Sequence, residues 1–297
     1  MTGAERGFLL LTSHLGDPER HPLSAAQFRM LAQRARTMEK PAEDLELSAA
    51  DLLALGYGRE MAERILILLE EQEVLEHYLR RGQQSGCRPL TWVSEGYPEV
   101  VRQRLGDEAP GCLWIRGDVA LLDKPMVALV GSRDIRPENR DFACAVGRCA
   151  AEQGLVLVSG NARGADRTAQ QSCLAAGGRV IAVVADRLDQ CQPQENILYM
   201  SEDVFDGAFT AQRALSRNRI IHSLGSRVFV AQCNYNHGGT WDGTTRNLRK
   251  GWSAVYCCRD GSQGINALEE MGAEQISLDD LHNIRALDEC DFGLFSQ

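Results

Sequence analysis

The sequence predicts an α/β protein: a doubly wound, mostly parallel sheet preceded by a small helical domain. Three observations carry this. From Met126 onward, short apolar runs without polar alternation recur between helical stretches, at 127–130, 155–158, 179–184, 228–231 and 254–257. Such runs suit strands covered by helices on both faces. Gly154 and Gly177-Gly178 close the intervening helices. Upstream of about residue 85, apolar residues repeat at helical spacing instead.

Within residues 1–85, Ser24 is placed to cap a helix running to about Met38. Ser48 is placed to cap a second, with Leu52, Leu53 and Leu55 on its apolar side. A third is expected from about Arg59 to Arg81, where Ile65, Leu68, Leu69, Leu75 and Leu79 give the repeat. Leu55-Gly56-Tyr57-Gly58 between the last two is similar to a helix-hairpin-helix turn, although an ordinary glycine-bearing turn explains so short a signal as well. Residues 86–125 read as a connecting segment with short strands at 89–93 and 112–117. Residues 126–282 carry the alternating strands and helices, with helices expected at about 139–153 and from Arg163-Gly164-Ala165-Asp166 to about Ala176. Residues 283–297 read as a C-terminal tail.

Length and composition narrow the function classes. At 297 residues, 44% hydrophobic and 25% charged, the chain is long enough for two ordinary globular domains and unlike a disordered or disulfide-scaffold protein. No apolar run reaches the roughly 18 residues of a membrane span. The opening MTGAERGFLLL has no basic start and no small-residue cleavage site, so no signal peptide and a cytoplasmic location are expected. The ten cysteines form no CxxC and no Cys/His cluster at zinc spacing. They read as small, reduced, buried hydrophobes, and no metal or cofactor is expected.

The net charge of −9 argues against a general polycation, but it is unevenly spread. Residues 1–130 hold 15 Lys/Arg and 20 Asp/Glu, and residues 253–297 hold 2 and 9. Residues 131–252 hold 15 and 12, a balance of +3, and fourteen of those fifteen cations are arginine. The planar guanidinium fork matches phosphate geometry.

That basic segment also holds three glycine-bearing turns after expected strands: GSR at 131–133, SGNARGAD at 159–166 and HGGTWDGT at 237–244. In a parallel sheet all three emerge at one edge. Small residues leave backbone amides exposed there, and helix starts add partial positive charge, so together they form an anion cradle. Arg133 and Arg163 add full charges. One such turn alone would be simple punctuation. Arg217-Asn218-Arg219 lies ahead of Ile220-Ile221; two arginines two apart cannot share a helix face, so one can reach a site while the other pins a strand end. No GxGxxG follows the first strand and no acidic residue ends the second, which disfavours a nicotinamide cofactor. No GxxxxGK[ST] is present, which disfavours nucleoside-triphosphate hydrolysis.

The runs VALVGSR (127–133), VSGNARGADRTAQ (158–170), YMSED (199–203) and SRNRIIHSLGSRVFVAQ (216–232), in this order, resemble the DNA-processing protein A family, also called Smf. Tyr97-Pro98 and Leu113-Trp114-Ile115-Arg116-Gly117-Asp118 fit the same family upstream, so that the likeness covers about residues 90–282. The resemblance implies a Rossmann-like domain that binds single-stranded DNA, as a homodimer, and hands it to the RecA recombinase during natural transformation. It implies phosphate contacts from Gly131, Ser132 and Arg133, from Ser159, Gly160, Ala162, Arg163 and Gly164, and from Arg217, Asn218 and Arg219, with Arg163 and Arg219 as the main ones. Asp166 would then cap the following helix and orient Arg163.

The sequence departs from that family in places. Asn161 stands where a Leu is usual and Gln170 where a His is usual, and the acidic residue usual near Gln232 is missing. The 236–244 turn looks more like the GGxGT turn of related nucleotide-binding proteins, including the cytokinin-activating LOG-type phosphoribohydrolases. Gly238, Gly239, Thr240 and Thr244 are expected DNA or phosphate contacts; on the second reading Gly238, Gly239 and Thr244 hold the phosphate of a nucleotide and Trp241 stacks on its base, and for a DNA strand Trp241 stacks on an unpaired base. Those enzymes need a Glu a few residues on, where this chain reads Thr245-Arg246-Asn247-Leu248. Asp242 is the one nearby carboxylate and the sole candidate catalytic residue, so a binding protein is expected before an enzyme. The winged-helix appendage common in the family is not expected after Leu281. A single-strand-binding DNA-processing protein and a nucleotide-sensing or nucleotide-cleaving protein of a defence or stress system both fit a phosphate cradle.

Overall fold

The computed structural model describes residues 1–38 and 47–288. Five helices open it: α1 (Gly3–Thr12), α2 (Ala25–Ala35), α3 (Ala49–Ala54), α4 (Arg59–Glu70) and α5 (Gln72–Gln84). Thr2, Ser24 and Ser48 each cap a helix through a hydroxyl that accepts the amide three residues on, and the residue there returns the bond. The long helix expected over 59–81 is two, because Glu71 leaves helical geometry at ψ 39°. α1 was not foreseen; its Phe8, Leu9, Leu10 and Leu11 are all buried, a contiguous run that hides the helical period. Leu11, Leu23, Leu31, Leu52, Ile65 and Leu68 form the core of this region.

The remaining elements are β1 (Arg88–Thr91), α6 (Glu99–Leu105), β2 (Cys112–Arg116), β3 (Met126–Val130), α7 (Pro137–Glu152), β4 (Val156–Ser159), α8 (Ala165–Ala175), β5 (Arg179–Val184) and β6 (Ile197–Glu202). Then come α9 (Ala211–Ser216), α10 (Asn218–Leu224), β7 (Arg227–Val230), α11 (Gly238–Lys250), β8 (Ala254–Cys258), α12 (Gln263–Glu270) and β9 (Glu274–Ile276). All nine strands join one sheet in the order β1-β2-β6-β5-β4-β3-β7-β8-β9. β3 to β9 pair in parallel, and β1 and β2 extend the sheet antiparallel beyond β6. The 86–125 segment therefore builds one edge of the sheet. β6 and β9 were not foreseen as strands.

Every residue of β3 is buried. Val127 and Leu129 face one core with Phe142 of α7 and Ala169 of α8. Ala128 and Val130 face the other with Ile220 of α10 and Ile265 of α12. This is the doubly wound architecture, with both sheet faces covered. Residues 283–288, expected as a tail, pack on the sheet: Ile284 is buried, Arg227 Nε donates to the Leu287 carbonyl (2.7 Å) and the Tyr256 hydroxyl to that of Asp288 (2.8 Å).

Nine described cysteines are free thiols, seven of them buried. Burial pushes the thiols of Cys87, Cys173 and Cys258 up to about 11 and that of Cys233 to about 12, which keeps them neutral and hydrophobic. Cys290 lies outside the described residues. Among the described residues no helix is long and apolar enough to cross a membrane.

Candidate functional site

The chain leaves β3 toward β4, β5 and β6 on one side and returns to β7 on the other. Strand order therefore reverses between β3 and β7, and the loops leaving their carboxyl ends diverge. Ligands of open α/β sheets bind in such a crevice. Here the crevice is a cleft of about 490 Å³. Gly131, Ser132, Arg133, Ala162, Asp166, Arg217, Asn218, Gly238, Gly239 and Thr240 all line it. The fold thus gathers parts of all three turns and of the arginine motif.

The first turn is held from both sides. The Ser132 amide donates to the Gln232 carbonyl (3.1 Å), and its hydroxyl brackets Asp134. The Gln232 side chain accepts the Arg136 amide (2.9 Å) and donates to the Asp134 carbonyl (3.1 Å). A carboxylate cannot make that second bond. Gly131 leaves no room for a side chain, since a Cβ would meet that of Ala165 at 2.5 Å. Gly164 has φ +85° and packs against the Ser132 and Arg133 carbonyls, so it fixes the crossing of two turns. Arg133 is exposed at the mouth, and its guanidinium lies 5.6 Å from the centre of the Phe209 ring.

Arg217 forms part of the floor. It is 6% exposed, Nη1 donates to the Val183 carbonyl (2.6 Å), and Nε has no partner. A Cβ on Gly160 would fall inside its guanidinium, so Gly160 makes room for this arginine. Asp166 supplies the countercharge and accepts the Ala162 amide (3.2 Å). Burial raises the Asp166 carboxyl above its ordinary value, while Arg217 and the Ala162 and Gly160 amides pull it back. Burial lowers the Arg217 guanidinium, opposed by Asp166. Asp166 thus serves Arg217; the expected partner, Arg163, pairs with Asp134 at 2.7 Å, with side chains 74% and 87% exposed.

The third turn is the start of a helix. Gly238, Gly239 and Thr240 open α11, whose N-terminal residue His237 offers no side-chain cap. Its first residues line the cleft, which puts the positive end of the helix dipole there. Gly239 and Gly243 let α11 approach α10, with Asn218 Nδ2 donating to the Gly239 carbonyl (2.9 Å).

Eight expected site residues do not line the cleft, and Gly160, Arg163 and Gly164, described above, are three of them. The Ser159 hydroxyl is fully buried and accepts from Gln170 Nε2 (2.6 Å). Thr244 is fully buried in α11, because the helix turns it inward. Trp241 is half-buried, edge-on to Tyr235 at 5.1 Å, and packs on the core. Asp242 is exposed and does not line the cleft, so no carboxylate from this helix faces a ligand there. Arg219 points to the end of β6. It pairs with Glu202 and donates through Nε to the Glu108 carbonyl (2.8 Å) and through Nη1 to the Ser216 carbonyl (2.7 Å). Arg219 is the arginine that pins a strand end, and Arg217 the one that reaches the site.

The cleft also includes Asp134, Phe209, Leu215, Gln232, Asn234 and His237, none of which was foreseen as lining it. Gln232 stood out in the sequence only as a missing acid. Phe209 and Leu215 lie between motifs, where the sequence carries no periodic signal.

Residues 88–283 match the family described as DNA recombination-mediator protein A. The DNA processing protein DprA of Streptococcus pneumoniae is 34% identical over 183 residues, 57% of this chain and 64% of the relative. The matched stretch is thus less than two thirds of that relative's length. A solved structure of DNA processing protein A from the same organism shares the fold, with a TM-score of 0.72 at 24% identity over 97% of this chain and 99% of that one. DNA processing protein A from Helicobacter pylori, solved to explain its single-stranded DNA binding mode, aligns with a TM-score of 0.57 at 26% identity over 66% of this chain and 94% of its own. The motif order, the Rossmann-like sheet and a family match across about two thirds of the chain agree: this protein belongs to the DNA recombination-mediator protein A family.

Proposed function

We propose that the cleft binds the backbone of single-stranded DNA and that the protein is a DNA-processing protein without hydrolytic activity. One observation carries this: three turns and a buried arginine with a free Nε converge on one open crevice, with Arg133 exposed at its mouth and Arg163 exposed beside it, paired to the lining residue Asp134. Backbone amides, a helix start and guanidinium groups recognise phosphate without reading sequence. Cations at an open mouth suit a strand that passes through better than a mononucleotide sealed inside. Asp242, the catalytic candidate of the nucleotide reading, does not line the cleft, which speaks against base release. Family membership and the Helicobacter pylori relative support the same ligand. A homodimer in the cytoplasm that hands its strand to the RecA recombinase completes the proposal.

The test is binding of a fluorescent oligo-dT at low salt, with AMP and cyclic nucleotides as competitors. The proposal expects saturable binding that excess mononucleotide leaves in place. Displacement by AMP at concentrations comparable to the oligomer, or free base released from AMP, would replace it with the nucleotide reading.

A further inference from the structure

Phe209 is out of place for a packing residue. It lines the cleft and is 48% exposed, yet its backbone is fixed. On one side, Phe205 is buried in the core. The Phe209 amide donates to Asp186 Oδ1 (3.2 Å), which also accepts the Arg187 amide (2.8 Å). On the other side, the Thr210 hydroxyl accepts the Arg213 amide (3.0 Å) and starts α9. The Arg213 side chain passes over Gly207 and donates to Ser201 (2.9 Å). The ring is therefore presented from an anchored loop. Its visible company in the cleft is the Arg133 guanidinium at 5.6 Å.

From this geometry we infer that Phe209 is a stacking platform for an unpaired base of the strand whose phosphate Arg133 holds. The inference rests on the single-strand reading above and adds the group that recognises the base. A flat aromatic face beside a cation that tracks phosphate is the pairing that sequence-tolerant single-strand binding uses. A fixed backbone removes most of the ordering entropy that stacking would otherwise cost. Every base has a π-face, so the platform favours bases over an empty backbone and not one base over another.

The experiment compares a fluorescent oligo-dT with an abasic oligomer of equal length and charge. Wild type is expected to prefer oligo-dT by about tenfold, from one stacked base. Phe209→Ala should lose that preference and keep its affinity for the abasic strand, and Phe209→Tyr should retain it. An unchanged preference in Phe209→Ala overturns the inference. Equal wild-type affinity for the two strands overturns the platform while the phosphate reading stands. Failure of wild type to bind either strand overturns the single-strand reading, and the platform with it.

Discussion

Replacing Gly160 by alanine tests the architecture of the cleft floor. The added methyl falls inside the Arg217 guanidinium. A guanidinium at the end of a long side chain would ordinarily swing aside at little cost. This one is 6% exposed, donates to the Val183 carbonyl at 2.6 Å and faces buried Asp166. Displacing it removes a charge-assisted hydrogen bond, about 1.5–3 kcal/mol, and strains a packed interior, about 1–3 kcal/mol. The expected loss is about 3 kcal/mol in urea unfolding, together with weaker oligo-dT binding in the protein that remains folded. The methyl itself contributes nothing polar, so both effects run through Arg217. A Gly160→Ala protein within about 0.5 kcal/mol of wild type and with unchanged affinity would refute the reasoning.

Four further outcomes follow from the same geometry. Arg219→Ala strands Glu202, whose side chain is 13% exposed, and should cost about 3–5 kcal/mol in thermal or urea unfolding; a stable variant with weak DNA binding would restore Arg219 as a phosphate contact. Arg163→Ala should leave stability within about 0.5 kcal/mol and weaken oligo-dT binding about tenfold, because its pair with Asp134 is exposed and contributes little. Asp134→Asn frees Arg163 and removes a negative charge from the cleft, so oligo-dT should bind about threefold tighter, read by anisotropy; weaker binding would show that Asp134 orients Arg163 instead. His222 is fully buried, and burial lowers it from 6.5 to about 3. Between those values the unfolded chain takes up a proton that the folded chain refuses, so stability is lost as pH falls from about 6.5. The loss at pH 5 should be about 2 kcal/mol, and His222→Gln should flatten that slope in urea titrations at several pH values.

The sequence was most informative where backbone geometry and burial coincide. Strands buried on both faces need unbroken apolar residues, so the runs at 127–130, 179–184 and 254–257 stood out. β6 was hidden because Tyr199, Met200 and Ser201 mix polar and apolar residues, although all three are buried. β9 has three residues, too few to show a period. At the site, glycines marked where chains cross, and Gly131, Gly160 and Gly164 do so. Motif position could not tell which arginine turns inward. That depends on the helix from Asn218, which sends Arg217 to the sheet end and Arg219 toward Glu202. Nor could spacing show that Thr244 and Asp242 lie past the first turn of α11, where helical rotation carries them off the cleft.

The salt dependence of oligo-dT affinity measures phosphate contact itself. Each phosphate neutralised on a single strand contributes about −0.7 to the slope of log affinity against log salt. With Arg219 withdrawn into its ion pair and the Arg217 charge balanced by buried Asp166, the exposed cations Arg133 and Arg163 set the expected slope at about −1.4. The double variant Arg133→Ala, Arg163→Ala should bring it close to zero. A wild-type slope near zero, or one that the double variant leaves unchanged, would contradict a backbone-binding cleft at this sheet edge.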